Sequence, residues 1–234
     1  MIIPRPAEQR GYADHGWLQA RHSFSFADYY DPAEMGWGAL RVINEDRVAP
    51  GTGFGRHGHR DMEIVTYILS GALEHQDSLG HGGVIRRGEV QRMTAGTGIL
   101  HSEANPSNDE ETHLLQIWIA PARRGTPPSY EQQAMPVEAL RGRWHLVASP
   151  DGAEGSTTIG QDARLYASLL SPGEGTDYAP ATGRLAYVHV VRGRLALNGV
   201  VLASGDGAKI SDEKELRFMA DEETEFLLFD LPPA

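Results

Sequence analysis

Cysteine is absent from this chain of 234 residues. Disulfides, iron–sulfur clusters and thiolate zinc sites are therefore excluded, and histidine, carboxylate and water remain as metal ligands. Lysine is almost absent: Lys209 and Lys214 are the only two among 21 basic residues, set against 32 acidic ones. The net charge of −11 repels a phosphate backbone and argues against direct nucleic-acid binding. Arg86-Arg87 and Arg123-Arg124 are too short to form a basic patch. No apolar run approaches the ~18 residues that a membrane helix needs. The opening Met1-Ile2-Ile3-Pro4-Arg5-Pro6 also lacks the continuous apolar stretch of a secretory signal. A monomeric cytoplasmic protein, off the membrane, is the expectation. Helical periodicity is scarce as well; its best stretch, 130–140, is interrupted by Pro136.

What is present is punctuation and short strands. The 27 glycines and 14 prolines are spread along the chain rather than gathered in one linker. Between them lie β-branched and aromatic runs at 63–69, 112–119, 143–149, 186–191 and 225–231. Turn signals recur at the spacing of an all-β sandwich or barrel. A connector begins at Gly125-Thr126-Pro127-Pro128, which divides the chain into residues 1–135 and 136–234. The halves form a faint repeat. Residues 64–71 align with 186–193, and Arg87-Gly88-Glu89 aligns with Ser204-Gly205-Asp206. The alignment predicts two stacked barrels. It carries His57 and His59 onto Ala179 and Ala181, and His101 and Glu103 onto Phe218 and Ala220. The second barrel should therefore hold no metal.

Two segments carry the chemistry, His57-Gly58-His59 and His101-Ser102-Glu103. Each sets two metal-capable side chains at i and i+2. On a helix these positions lie on different faces. On a strand they share a face, with Cα atoms about 6.6 Å apart, close enough to lean onto one ion. Two neighbouring strands would thus bring three histidines and a glutamate to one point. Glu63 competes with Glu103 as the carboxylate.

The spacing of glycines around these segments, from Gly51 to Gly71 and from Gly88 to Asn105, resembles the paired motifs of the cupin superfamily of β-barrels. A narrower resemblance is to the pirin family of double cupins. It rests on His22-Ser23-Phe24-Ser25-Phe26-Ala27-Asp28-Tyr29-Tyr30-Asp31-Pro32, on His57-Gly58-His59-Arg60-Asp61-Met62-Glu63, on Glu74-His75-Gln76-Asp77-Ser78-Leu79-Gly80, and on 94–103. The resemblance implies an all-β bicupin, two stacked jelly-roll-like barrels with little helix. It implies that His57, His59, His101 and Glu103 bind one divalent transition metal, usually Fe(II), with Mn, Ni, Co, Cu or Zn also suited to such donors. Glu63 is then expected to orient a ligating histidine rather than to bind.

Bacterial members of that family are described as quercetin 2,3-dioxygenases. The resemblance thus implies cleavage of a flavonol-like aromatic by O2 to a depside and carbon monoxide, with Glu103 as general base. The alternative is a non-enzymatic metal- or redox-sensing protein that acts through a protein partner. A metal-dependent isomerase or hydrolase is a third reading, because one fold hosts many reactions. Single histidines near strands are ordinarily structural, so His15, His75, His81, His113, His145 and His189 are read that way. The aromatic segment 24–30 lines a pocket or plugs a barrel mouth. Gly96-Thr97-Gly98 is read as a tight turn rather than a phosphate loop.

Overall fold

Strands dominate the computed structural model, which describes residues 1–233. The first half supplies β1 (Ile2–Arg5), β2 (Gly11–Asp14), β3 (Leu18–His22), β4 (Leu40–Val48), β5 (Gly53–His59), β6 (Glu63–Ser70), β7 (Ala72–Asp77), β8 (Gly82–Arg86), β9 (Glu89–Thr94), β10 (Ile99–Ala104), β11 (Thr112–Ile119) and β12 (Ser129–Ala134). The second half supplies β13 (His145–Ser149), β14 (Thr157–Thr158), β15 (Arg164–Leu170), β16 (Gly175–Tyr178), β17 (Leu185–Arg192), β18 (Arg194–Leu197), β19 (Val200–Ala203), β20 (Gly207–Ile210), β21 (Leu216–Ala220) and β22 (Thr224–Leu231). Among the described residues no helix is long and apolar enough to cross a membrane.

The strands form two barrels of one plan. In the first, a seven-stranded sheet β12-β9-β6-β11-β4-β3-β2 is matched by a four-stranded sheet β5-β10-β7-β8. In the second, β1-β20-β17-β22-β15-β13-β14 is matched by β16-β21-β18-β19. Position for position, β6 corresponds to β17 and β10 to β21, as the repeat predicted.

The stretch 130–140, part of the connector and interrupted by Pro136, is strand at its start: β12 pairs along β9 from Ser129 opposite Thr94 to Ala134 opposite Glu89, leaving one 3-10 turn at Val137–Leu140. An open sheet edge took up the beginning of the connector. One expectation changes. The start of the chain, expected in the first barrel, instead joins the second: β1 pairs antiparallel with β20, Ile2 opposite Ile210. There it occupies the edge that β12 occupies in the first barrel. For the rest of the chain we propose the division at 135/136.

Burial explains why the central strands read as continuous apolar runs. The two large sheets pack against each other, so strands such as β6 and β22 are covered on both faces. Val65 and Tyr67 point into the core between barrels, beside Leu227 and Phe229. Ile64 and Ile68 point into the first barrel, and Phe226 and Leu228 into the second. The interiors then differ. One continuous apolar cluster fills the second barrel, while that of the first is split into two small clusters. Between them sit the buried polar residues Asn44, Asp46, Thr66, His75, Gln91, His101 and Glu103.

Candidate metal centre and its cavity

The antiparallel pair β5/β10 builds the centre. His57 stands opposite His101 and His59 opposite Ile99; a bulge beyond His101 then sets Phe54 opposite Glu103. Such a bulge re-aims side chains at a site. Close approach of the strands requires glycine at position 53, where a Cβ would fall 2.3 Å from the Glu103 carbonyl oxygen. The turn into β10 requires Gly96, at φ 47°, because a Cβ there would lie 2.0 Å from the carbonyl oxygen of Thr126.

His57, His59 and His101 each bring a ring nitrogen within 4.8 Å of the others. The Nε2 atoms of His59 and His101 are only 2.8 Å apart. His57 Nδ1 donates to the Gly55 carbonyl at 2.7 Å, which leaves its Nε2 lone pair free. Burial, with the neighbouring His57, brings His59 down to about 4. Burial and the surrounding histidines bring His101 down to about 3. Near neutrality His59 and His101 are uncharged, so their rings keep lone pairs for a metal. A divalent ion suits such a set.

Glu103 is fully buried, and burial pushes it up to about 7 against the opposing hydrogen bond from Gln116. It does not join the three histidines in one tight group. It shares a second, overlapping group with His101 and His75, again with ligand atoms within 4.8 Å. His75, read from sequence as structural, therefore belongs to the site. It lies opposite Glu103 on β7. Its Nδ1 is 3.4 Å from His101 Nδ1 and 3.3 Å from Gln91 Nε2, and its Nε2 is 3.4 Å from Asp77 Oδ2. One proton arrangement accounts for these contacts: His75 donates from Nε2 to Asp77, and its single Nδ1 lone pair is shared between the N–H groups of His101 and Gln91. That arrangement leaves His101 Nε2 unprotonated and facing His59. The i,i+2 spacing of His75 and Asp77 was the available signal.

Beside the centre opens a cavity of about 490 Å³. Trp17, Phe26, Phe54 and Trp118 give it aromatic walls, and Asn44, Asp46, Glu103 and Gln116 give it a polar floor. His57 and His59 line it as well. Of the segment 24–30, Phe26 reaches the cavity, edge-on to Trp118 at 5.3 Å, while Phe24 is buried between the barrels. Sequence reasoning passed over Asp46, whose side chain is buried and pushed up to about 7 by burial and by the carboxylates of Glu103 and Glu45.

Glu63 neither joins the cluster nor orients a ligating histidine. It accepts from Thr94 Oγ1 at 2.7 Å, and its Oε1 lies against Gly160 of the second barrel. Strand parity is the reason. Ile64 and Ile68 face the barrel interior, so Glu63, like Val65 and Tyr67, faces outward to the other barrel.

The second barrel also departs from the repeat at one strand. Thr176 stands opposite Phe218 and Tyr178 opposite Leu216, as His57 and His59 stand opposite His101 and Ile99. Thr176 and Tyr178, rather than Ala179 and Ala181, thus hold the ligand positions. The link 179–184 before β17 is longer than the link 60–62 before β6, which shifts the register of equivalence. Phe218 and Ala220 fall where expected, and Phe218 stacks on Phe226 at 5.1 Å, so aromatic packing fills the space. Both candidate metal-binding groups found among the described residues, the three histidines and the His75–His101–Glu103 group, lie in the first barrel.

Two barrels of this plan, one carrying the donors and one filled with apolar side chains, define a two-domain cupin. The pirin family model matches residues 5–119, and that of the quercetinase C-terminal cupin domain matches residues 146–231. Quercetin 2,3-dioxygenase of Escherichia coli K12 is 49% identical over 233 residues, covering 100% of both chains. The structure of the bacterial pirin YhhW from Escherichia coli in complex with nickel(II) superposes with a TM-score of 0.96 at 49% identity, covering 100% of each chain. Quercetin 2,3-dioxygenase from Acinetobacter baumannii shares the fold, with a TM-score of 0.77 at 24% identity over 99% of this chain and 86% of that one. This chain belongs to the pirin family.

Proposed function

We propose that the chain is a metal-dependent dioxygenase that cleaves flavonol-like hydroxylated aromatics such as quercetin with O2. One observation carries the reading: imidazole nitrogens and a buried carboxylate meet at the edge of an aromatic-walled cavity of about 490 Å³. His57, His59, His101 and Glu103 would hold one divalent metal. Bound there, the metal would supply a Lewis-acid centre and, as iron(II), one able to activate oxygen. Iron(II) is the native ion on this reading. The 49% identical Escherichia coli relative, named for quercetin dioxygenation and solved as the pirin YhhW with nickel(II), supports the substrate class and the use of a metal. A cytoplasmic monomer is proposed from the sequence alone.

The chain's own residues perform the remaining tasks. Trp17, Phe26, Phe54 and Trp118 sandwich a flat ring system and exclude water from it. Glu103, raised toward neutrality by burial, accepts the proton of the substrate hydroxyl, the work that suits a base whose pKa lies near the operating pH. Gln116 holds that carboxylate, donating to it at 3.0 and 3.3 Å. His75 and Asp77 hold His101 with its Nε2 turned to the cluster.

Quercetin turnover by the iron-loaded protein, in air and under nitrogen, tests the proposal. Oxygen-dependent loss of the flavonol with release of carbon monoxide is expected. Inertness in air with iron bound would overturn it in favour of a sensing role through a protein partner.

A further inference from the structure

The cavity floor holds two polar side chains that the proposed metal set leaves unused. Asn44 and Asp46 stand at i and i+2 on β4, on one face, and both are buried and line the cavity. Asn44 Oδ1 is engaged by His22 Nδ1 at 2.8 Å. His22 is the donor in that pair, so the amide group of Asn44 keeps its own N–H donors for the cavity. Asp46 is the reverse case. Its Oδ1 is sealed from solvent with no hydrogen-bond partner, and the carboxylates of Glu103 and Glu45 repel its charge. Among the described residues no cation pairs with it. A buried acceptor left without a partner costs stability, so such a group at a cavity calls for a donor from what the cavity holds.

The chemistry of the missing partner follows from the pair. Asn44 requires an acceptor and Asp46 a donor, from side chains whose Cα atoms are about 6.6 Å apart on a strand. An ammonium offers Asn44 no acceptor, and a carbonyl offers Asp46 no donor. A hydroxyl satisfies both. We propose that Asn44 and Asp46 form a specificity pair that reads a second hydroxyl of the aromatic substrate, distinct from the one engaged at the metal cluster. That hydroxyl donates to the Asp46 carboxylate and accepts from Asn44 Nδ2. The inference rests on the reading of the cavity as a site for hydroxylated aromatics.

Nickel(II)-loaded protein under nitrogen separates the two claims. Binding of quercetin is compared with that of 3-hydroxyflavone, which keeps the 3-hydroxyl and the ketone and lacks every other hydroxyl. The wild type should bind quercetin about 10- to 100-fold more tightly, the effect of one hydrogen bond to a charged group. Asp46→Leu and Asn44→Leu should each weaken quercetin by most of that factor and leave 3-hydroxyflavone unchanged, at full nickel content. Asp46→Asn, which keeps shape and one acceptor, should lose less than Asp46→Leu. Equal affinity of the wild type for both flavonols would overturn the specificity pair while preserving the flavonol site. Equal losses for both ligands in the variants would also overturn it, because Asp46 would then act on the metal-bound hydroxyl or on the fold. Failure of the wild type to bind either flavonol would remove the flavonol reading and the pair together.

Discussion

Gln116 donates from one amide nitrogen to both carboxylate oxygens of Glu103, at 3.0 and 3.3 Å, while its own Oε1 accepts from Thr66 at 2.9 Å. The amide is therefore fixed in one orientation, and among the described residues it is the only hydrogen-bond partner of this buried carboxylate. A chain β6–β11–β10 thus positions the proposed acid ligand from the far side of the barrel.

Gln116→Leu should lower metal affinity by about 10- to 100-fold, the usual cost of losing a partner that orients a ligand. Competition against a chelator measures it. Unchanged affinity would show that Glu103 needs no support or does not bind.

Glu103→Gln keeps an oxygen able to coordinate and removes the charge and the base. Metal occupancy should fall modestly, and turnover per bound metal by about 10²–10⁴-fold. Metal analysis beside steady-state quercetin kinetics separates the two effects. Full turnover per metal in this variant would assign the base elsewhere, with Asp46 the next carboxylate on the cavity floor.

Metal affinity should rise with pH and then level off. Burial raises Glu103 to about 7, whereas His59 and His101 are held down at about 4 and 3. From about pH 5 to 7 His59 and His101 have already lost their protons, and a proton must leave Glu103 for each metal bound. The logarithm of the binding constant should climb by at least about one per pH unit and flatten above about pH 7. A flat profile over that interval would remove Glu103 from the ligand set.

One metal per chain is expected, because Thr176, Tyr178, Phe218 and Ala220 occupy the equivalent places of the second barrel and Tyr178 is engaged by Asp230. Elemental analysis of protein from its native host reads the ratio. A value near two would contradict it.

The barrels are locked by Glu225, which accepts from Tyr67 at 2.6 Å and from Arg87 at 2.7 Å in the core between them. Glu225→Leu strands both donors. It should cost about 3 kcal/mol, the low end for breaking a buried pair, since Arg87 keeps 24% side-chain exposure. Urea unfolding measures it, and a change under about 0.5 kcal/mol, the scale of a surface substitution, would place the lock elsewhere.

The sequence by itself determined the strands, their repeat and three converging histidines. These rest on local rules: apolar runs bounded by glycine, and i,i+2 spacing that forces His57 and His59, or His101 and Glu103, onto one strand face. What lay beyond it depends on which strand lies beside which. Only the pairing of β7 with β10 brings His75 to His101, and only the inward face of β4 places Asn44 and Asp46 under the cavity. Glu63 has the spacing of a ligand, yet strand parity turns it toward Gly160 in the other barrel. The strand β1 carries no mark of its destination, because its place was set by an unpaired edge of β20 some 200 residues away. Local periodicity fixes which way a side chain points from its own strand; the closing of two barrels against each other decides what it meets there.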